Sequence, residues 1–117
     1  MSEHATAHRA GEAFADCIDR CTDCHQVCVE TISAGVQQGG QPAHLLHLRL
    51  LMDCATVTDT TRDLMLRSSD FAHQVCGLCA GVCERSAASC ERIGGEQMQR
   101  CADACRRCAE SCKKMAA

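Results

Sequence analysis

The spacing of the cysteine residues constrains this chain more than any other feature. The segment C-I-D-R-C-T-D-C-H-Q-V-C, residues 17–28, places four cysteines at successive intervals of four, three and four residues. The segment C-A-D-A-C-R-R-C-A-E-S-C, residues 101–112, has the same intervals. Steps of three and four residues return to one face of an α-helix. Each segment is therefore predicted to be a helix with a stripe of thiols along one face.

Two further segments carry thiols in a helical pattern. The run C-G-L-C-A-G-V-C extends from Cys76 to Cys83, and Cys90 lies two turns further along. The segment around Cys54 has a single thiol. The other residues predicted on its inward face are His47, Leu50 or Leu51, Thr58, Thr61 and Met65.

Glycine, proline and serine residues divide the chain into four helical segments. Pro42 fits the first turn of the second helix, where its missing N–H does no harm. Ser68 or Ser69 is expected to cap the third helix, and the pair Gly94-Gly95 is expected to end it. The expected helices cover residues 7–34, 42–67, from the serine cap to 93, and 96–115.

These segments predict one fold. No alternating strand pattern is present, and the connections between the helices are short. We expect an all-α protein: a single antiparallel up-down-up-down four-helix bundle with a Cys-lined core. Residues 1–117 form one domain in this interpretation, and residues 1–6 are expected to be frayed.

The composition agrees with a core of small side chains. The 117 residues include 13 Cys but no Trp, no Tyr and two Phe, so thiols and alanines must fill much of the interior. The net charge is −3, and basic residues near the C-terminus alternate with acidic ones. That pattern is typical of a solvated helix face, so neither nucleic acid nor membrane is an expected partner.

The thiols are expected to be reduced. An odd number of cysteines cannot pair completely. Thiols at i and i+4 of one helix point in similar directions, whereas a disulfide needs Cβ vectors that converge. The N-terminal residues M-S-E-H-A-T-A-H-R-A-G-E show no apolar export signal. We therefore expect a cytoplasmic protein in a reducing compartment.

Soft thiolates indicate a soft metal ion, and Cu(I) fits this spacing best. Zinc prefers closed groups of four ligands, and we expect these straight stripes to form a ladder without grouping into fours. Ferredoxin-type clusters use runs that end in Cys-Pro, which are absent here. Cu(I) accepts two or three thiolates, and a thiolate can bridge two ions. Two sulfurs per ion and two ions per sulfur give about one Cu(I) per cysteine, with the charges balanced.

With these stripes, the single Cys54 and the missing signal, the chain resembles the cytosolic copper storage proteins, which are Cys-rich four-helix bundles. The resemblance covers nearly the whole chain. It implies storage of many Cu(I) ions and a homotetrameric assembly. We also expect no catalytic activity, and a copper metallochaperone is a candidate partner. The second helix departs from a fully Cys-lined pattern, so capacity is expected to be lower or biased towards the other helices. The implied ligands are Cys17, Cys21, Cys24, Cys28, Cys54, Cys76, Cys79, Cys83, Cys90, Cys101, Cys105, Cys108 and Cys112.

Several histidine and methionine residues are candidate secondary ligands. Following the up-down path, His47 and Met98 fall at one end of the bundle. Met65, His73 and Met115 fall at the other end, and His25 lies beside the first stripe. A thioether or an imidazole at either end could pass Cu(I) inward without the tight hold of a thiolate cluster.

Two other functions remain as alternatives. The three C-x-x-C pairs, which begin at Cys21, Cys76 and Cys105, suggest a thiol redox buffer or oxidoreductase. None of them follows a strand at the opening of a helix, as that chemistry usually requires. The second alternative is a zinc or iron–sulfur protein. No Ser-His-Asp set or pair of carboxylates on one face indicates hydrolytic chemistry.

Overall fold

The computed structural model describes the backbone of residues 2–39 and 44–116, with side chains from residue 13 onward in those ranges. Four helices follow one another: α1 (Ser2–Gln37), α2 (Leu45–Leu66), α3 (Ala72–Ile93) and α4 (Glu96–Met115). The described ranges contain no strand. The predicted all-α class and the count of four helices are confirmed.

The helix boundaries differ from the prediction mainly in the first half of the chain. Helix α1 begins at Ser2 and ends at Gln37, so it is longer than the predicted 7–34. Helix α2 ends at Leu66, one residue before the predicted end at 67. Its start at Leu45 is later than predicted, and Pro42 lies outside the described residues. That residues 1–6 are frayed stays a prediction.

The turn before α3 is not the predicted serine cap. The N-cap residue is Phe71, and no side chain caps it. Ser69 instead accepts a hydrogen bond at Oγ from the Phe71 N–H at 3.1 Å, which tightens the turn one step earlier. At the other end of α3 the prediction is confirmed, because Gly94 and Gly95 have φ values of 79° and 100°. Side chains rarely adopt this left-handed region, so glycine suits the break.

The helices form a four-cornered antiparallel bundle. Helix α1 packs against α2 and α4, and α3 packs against the same two helices. Contacts near both ends fix the antiparallel directions. Cys17 meets Cys112 at one end of the α1–α4 pair, and Cys28 meets Cys101 at the other. The inward faces of all four helices therefore share one central core.

Small side chains fill this core. Cysteine and alanine make up most of the buried apolar residues, and Leu51 and Met65 are the largest fully buried side chains. The sequence left Leu50 and Leu51 open as the inward residue, and the structure selects Leu51, with Leu50 only half-buried. Because thiols and methyl groups are compact, the few large side chains carry a high share of the apolar burial.

We predict that Leu51→Ala destabilises the metal-free bundle by about 2–5 kcal/mol, because the substitution leaves a cavity that the neighbours only partly fill. Leu46→Ala is the matched control on the same helix. Leu46 is 74% exposed, so its truncation should change the free energy of unfolding by less than about 0.5 kcal/mol. Urea unfolding of the reduced protein, followed by circular dichroism, measures both. Equal effects would contradict this description of the core.

Candidate metal centre

All thirteen cysteine side chains lie in the core as free thiols. Twelve have no exposed surface, and Cys17 is 1% exposed. The shortest sulfur–sulfur distances are 3.5 Å or more, far beyond the roughly 2.0 Å of a disulfide bond. The expectation of reduced thiols that face one another is met. The interior of the bundle is therefore a continuous column of sulfur atoms.

The stripes of α1 and α4 align thiol against thiol. The intervals four, three and four read the same in both directions, so two antiparallel helices bring every thiol opposite a partner. This symmetry was visible in the sequence and is the signal that could have predicted the pairing. The Sγ–Sγ distances are 3.5 Å for Cys17–Cys112, 3.6 Å for Cys21–Cys108, 3.6 Å for Cys24–Cys105 and 3.9 Å for Cys28–Cys101.

Helices α2 and α3 complete the column less evenly. Cys54 is the single thiol of α2, and its Sγ lies 3.7 Å from Cys83 and 3.8 Å from Cys24. Thr58 and Thr61 are fully buried on the same face. Each donates its hydroxyl proton to a carbonyl oxygen of its own helix at 2.7 Å, a bond that satisfies the group locally. The α2 wall therefore offers one thiol and otherwise closes the core.

The thiols fall into compact groups, which corrects the prediction of an ungrouped ladder. In each group the sulfur atoms all lie within 4.8 Å of one another. The prediction was wrong because it treated each helix separately, whereas each group draws on three helices. Cys90 and Cys101 belong to none of these groups. The groups are Cys21, Cys79, Cys108 and Cys112; Cys24, Cys28, Cys54 and Cys105; Cys17, Cys76 and Cys112; and Cys24, Cys83 and Cys108.

Hydrogen bonds between neighbouring thiols set their relative acidity. Hydrogen bonds from Cys105 and three further thiols lower the pKa of Cys54. The pKa of Cys108 is lowered in the same way, chiefly by Cys112. In contrast, the pKa of Cys83 is raised by its hydrogen bond to Cys108 and by burial. Since one thiolate raises the pKa of the thiols around it, we expect most of the core to carry protons at neutral pH.

The end of the bundle formed by the α2–α3 turn, the α2–α3 end, is closed by side chains. Met65 is fully buried, with its Sδ 3.8 Å from the Cys76 sulfur. Phe14 is 7% exposed and lies with its ring centroid 5.5 Å from that of His73. His73 is exposed and bonds through Nδ1 to the carbonyl oxygen of Met115 at 2.5 Å. Of the three candidate ligands predicted here, Met65 contacts a core thiol, Met115 is half-buried against the core, and His73 is exposed.

The opposite end, formed by the α3–α4 turn and called the α3–α4 end, contains a cavity of about 290 Å³. His47 and Met98 both line it, as predicted for this end. His47 is 95% buried, at 5% exposure, and its Nδ1 bonds to Ser89 Oγ at 2.7 Å. Its Nε2 is buried and has no hydrogen-bond partner among the described residues.

The tautomer of His47 follows from this environment. An orphaned buried N–H is rarer in proteins than an orphaned lone pair, so Nδ1 is best assigned as the donor to Ser89. Nε2 then presents its lone pair. Burial lowers the pKa of His47, which keeps the ring neutral. A neutral imidazole held by a hydrogen bond at its other nitrogen is the usual form of a histidine metal ligand.

His25 has a structural contact instead of a place among the sulfurs. Its Nδ1 lies 2.7 Å from the carbonyl oxygen of Ala55, and the side chain is half-buried. Because a carbonyl oxygen can only accept, the ring donates its Nδ1–H and so links α1 to α2. Among the described residues, none of the helices has the length and apolar character that crossing a bilayer requires.

This arrangement defines the class of protein as a four-helix bundle whose core is a thiol container for soft metal ions. The model of the copper storage protein family, Csp, matches residues 10–117. The match spans nearly all of the chain, stripes included. The chain therefore belongs to the copper storage protein family.

Solved structures agree with this assignment. The Cu(I)-bound copper storage protein BsCsp3 is 33% identical, with a TM-score of 0.84 over 90% of this chain and 99% of that one. A cytosolic copper storage protein from Streptomyces lividans, solved with five coppers, is 29% identical, with a TM-score of 0.84 over 93% of this chain and 96% of that one. The S. lividans protein has also been solved loaded with 10 copper equivalents.

A curated relative is similar in sequence to part of this chain. The uncharacterized cysteine-rich protein YhjQ of Bacillus subtilis (strain 168) is 33% identical over 68 residues, 58% of this chain. The match spans 63% of YhjQ, less than two thirds of that relative's length.

We predict that loading with Cu(I) releases protons, because each neutral thiol must lose its proton to become a ligand. In a weakly buffered solution with a pH indicator, the reduced protein should release close to one proton per thiol engaged. The apparent affinity should fall as the pH decreases, by about tenfold per pH unit for each proton displaced. An affinity independent of pH would show that the free core is already largely ionised.

Proposed function

We propose that this protein stores Cu(I) within its core, with all thirteen thiols as ligands and about one ion per thiol. The observation that carries the proposal is the unbroken column of buried, reduced sulfur. Leucine or valine at these positions would bury more apolar area and stabilise the bundle further. A core of thiols is therefore better explained by what it binds than by its packing.

Charge balance supports a monovalent cargo. Thirteen buried thiolates without counter-ions would be very costly in a low-dielectric interior. One Cu(I) per thiolate cancels that charge without a further ligand. Many of the sulfur atoms lie 3.5–4.0 Å from a neighbour along or across the helices, close enough for two or three of them to bind one ion. The many-ion loading of the S. lividans relative is consistent with the same use of this fold.

Burial argues against the alternative role as a thiol oxidoreductase. The three C-x-x-C pairs all lie inside helices with no exposed sulfur surface. Exchange with a substrate disulfide requires an accessible thiolate. We therefore infer a role without catalysis, in which the thiols hold an ion and do not turn over a substrate.

The α3–α4 end is the better supported route for copper uptake. His47 Nε2 is buried and has no hydrogen-bond partner in the part of the chain that the structure describes, and Met98 lines the same cavity. Cys101 follows Met98 by three residues on α4, so a thiol lies one turn further inward. At the α2–α3 end, the buried side chains of Phe14 and Met65 fill the corresponding position. Copper would pass from imidazole and thioether to thiolate as it moves into the core.

We further infer a cytosolic homotetramer that receives copper from a metallochaperone. Several large apolar side chains are exposed on the single chain, among them Val36 at 65%, Phe71 at 64% and Leu78 at 60%. Assembly would remove such surface from water. Reduced thiols in this number suit a reducing compartment. Light scattering on the reduced protein tests the tetramer, and a monomer would contradict it.

Anaerobic Cu(I) titration against a strong competing chelator tests the storage function. We expect saturation near thirteen ions per chain, since each thiolate bridges two ions. Thr58→Ser should leave the capacity unchanged, because that buried hydroxyl is no ligand. An end point near one or two ions would contradict the proposal. At least four ions should be lost in the quadruple variant Cys101→Ser, Cys105→Ser, Cys108→Ser and Cys112→Ser.

Loading kinetics test the uptake route. His47→Ala and Met98→Ala should slow transfer of Cu(I) from a weak donor complex by roughly tenfold, the effect of losing about 1.4 kcal/mol of stabilisation at the transfer step. Their final capacity should stay that of the wild type. His73→Ala at the closed end is the matched control and should load at the wild-type rate. Slow loading by His73→Ala together with normal loading by His47→Ala would place uptake at the other end.

A further inference from the structure

Two of the thiol groups contain four sulfurs each and share no residue. The first, group A, consists of Cys24, Cys28, Cys54 and Cys105. The second, group B, consists of Cys21, Cys79, Cys108 and Cys112. Each group draws on three helices, with both groups using α1 and α4. Group A takes its remaining thiol from α2, and group B takes its remaining thiol from α3.

The spacing within both groups approaches that of a tetrahedral zinc site. A Zn–S distance of about 2.3 Å places the four sulfurs of a regular tetrahedron about 3.8 Å apart. In group A, Cys24 lies 3.8 Å from Cys54 and 3.6 Å from Cys105, and Cys28 lies 3.9 Å from Cys105. The remaining distances are within 4.8 Å, so small side-chain rotations would close the tetrahedron.

Group B has the same dimensions. Cys21 lies 3.6 Å from Cys108 and 3.9 Å from Cys112, and Cys108 lies 4.0 Å from Cys112. Cys79 is within 4.8 Å of all three. The two groups are centred about five residues apart on α1, which is roughly 8 Å along the bundle at 1.5 Å per residue. Two ions can therefore occupy them without sharing a ligand.

Neighbouring thiols can stabilise the charge of such sites. A zinc ion with four thiolates carries a net charge of −2, which needs hydrogen-bond donors when buried. Helix backbone offers none, because its N–H groups are already used. The Cys83 sulfur lies 3.7 Å from Cys54 and 3.9 Å from Cys79, so one S–H group sits between groups A and B. Cys101, 3.9 Å from Cys28, and Cys17, 3.5 Å from Cys112, are further donors.

We propose that groups A and B are two tetrahedral Zn(II) sites, so that the copper-free protein binds two zinc ions per chain. In each site one Zn²⁺ replaces four thiol protons, which are released to water, and no electron is transferred. Cu(I) is softer than Zn(II) and engages the same thiolates, so copper loading expels both zinc ions into solution. Zinc occupancy would thus keep the thiolates of groups A and B masked until copper arrives.

Anaerobic titration of the reduced protein with Co(II), a coloured substitute for Zn(II), tests the proposal. We expect the intense visible bands of tetrahedral tetrathiolate Co(II), rising to an end point of two ions per chain. Zn(II) added afterwards should bleach them with the same end point. Cys54→Ser breaks group A, and Cys79→Ser breaks group B. Each variant should show half the wild-type amplitude, and the double variant should lose the bands.

Cys90→Ser is the matched control, because Cys90 is equally buried but belongs to neither group. It should keep two ions and the full amplitude. Helical content measured by circular dichroism identifies any variant that fails to fold. Cys28→Ser can then replace Cys54→Ser as the break in group A, and Cys112→Ser can replace Cys79→Ser as the break in group B. An end point other than two ions, octahedral Co(II) spectra, or full amplitude in Cys54→Ser would overturn the proposal.

Metal exchange provides the second measurement. Cu(I) added to the protein with two bound Zn(II) ions should release both, as detected by a zinc indicator. Retention of zinc at full copper loading would overturn the exchange step. Failure of the zinc proposal would not contradict copper storage, since a core that does not bind Co(II) or Zn(II) could still bind many Cu(I) ions.

Discussion

The fit between the thiol stripes of α1 and α4 is the constraint on which the rest of the structure depends. Their intervals are symmetric, so antiparallel packing sets sulfur against sulfur over the whole stripe. Thiols are small, so the helices can approach until the sulfur atoms touch. Once this pair is fixed, α2 and α3 have only to close the two remaining sides. Fold and metal centre are thus specified by the same residues.

Much of this could be predicted from the sequence, because a helical period and breakers such as Gly94-Gly95 act locally. The inward position of the thiols followed from their spacing. The grouping of thiols into fours did not follow from the spacing, because it depends on where Cys54 and Cys79 lie relative to the other helices. The serine cap failed for a similar reason. Ser69 makes its hydrogen bond one step before the helix, and the position of that bond depends on the geometry of the turn and not on residue type alone.

The two ends of the bundle show how similar residues acquire different environments. His73 and His47 were equivalent candidates in the sequence, one near each end. His73 is exposed and bonds to a main-chain carbonyl group, whereas His47 is buried and its Nε2 has no hydrogen-bond partner among residues 13–39 and 44–116. The difference arises because Phe14 and Met65 fill the α2–α3 end, whereas the described residues at the other end leave a cavity of about 290 Å³. The two histidines therefore differ because of tertiary packing, which the spacing of residues in the sequence does not predict.

The hydroxyl groups of Thr58 and Thr61 give helix α2 a distinct mechanical role. Both are satisfied by their own helix, so they need not rearrange when cargo arrives. Along the thiol-rich sides, sulfur atoms must shift as protons are replaced by larger ions. On α2 only the Cys54 sulfur takes part in such a replacement, so this helix has the fewest core atoms to move. Filling the core would therefore displace side chains of α1, α3 and α4 more than those of α2.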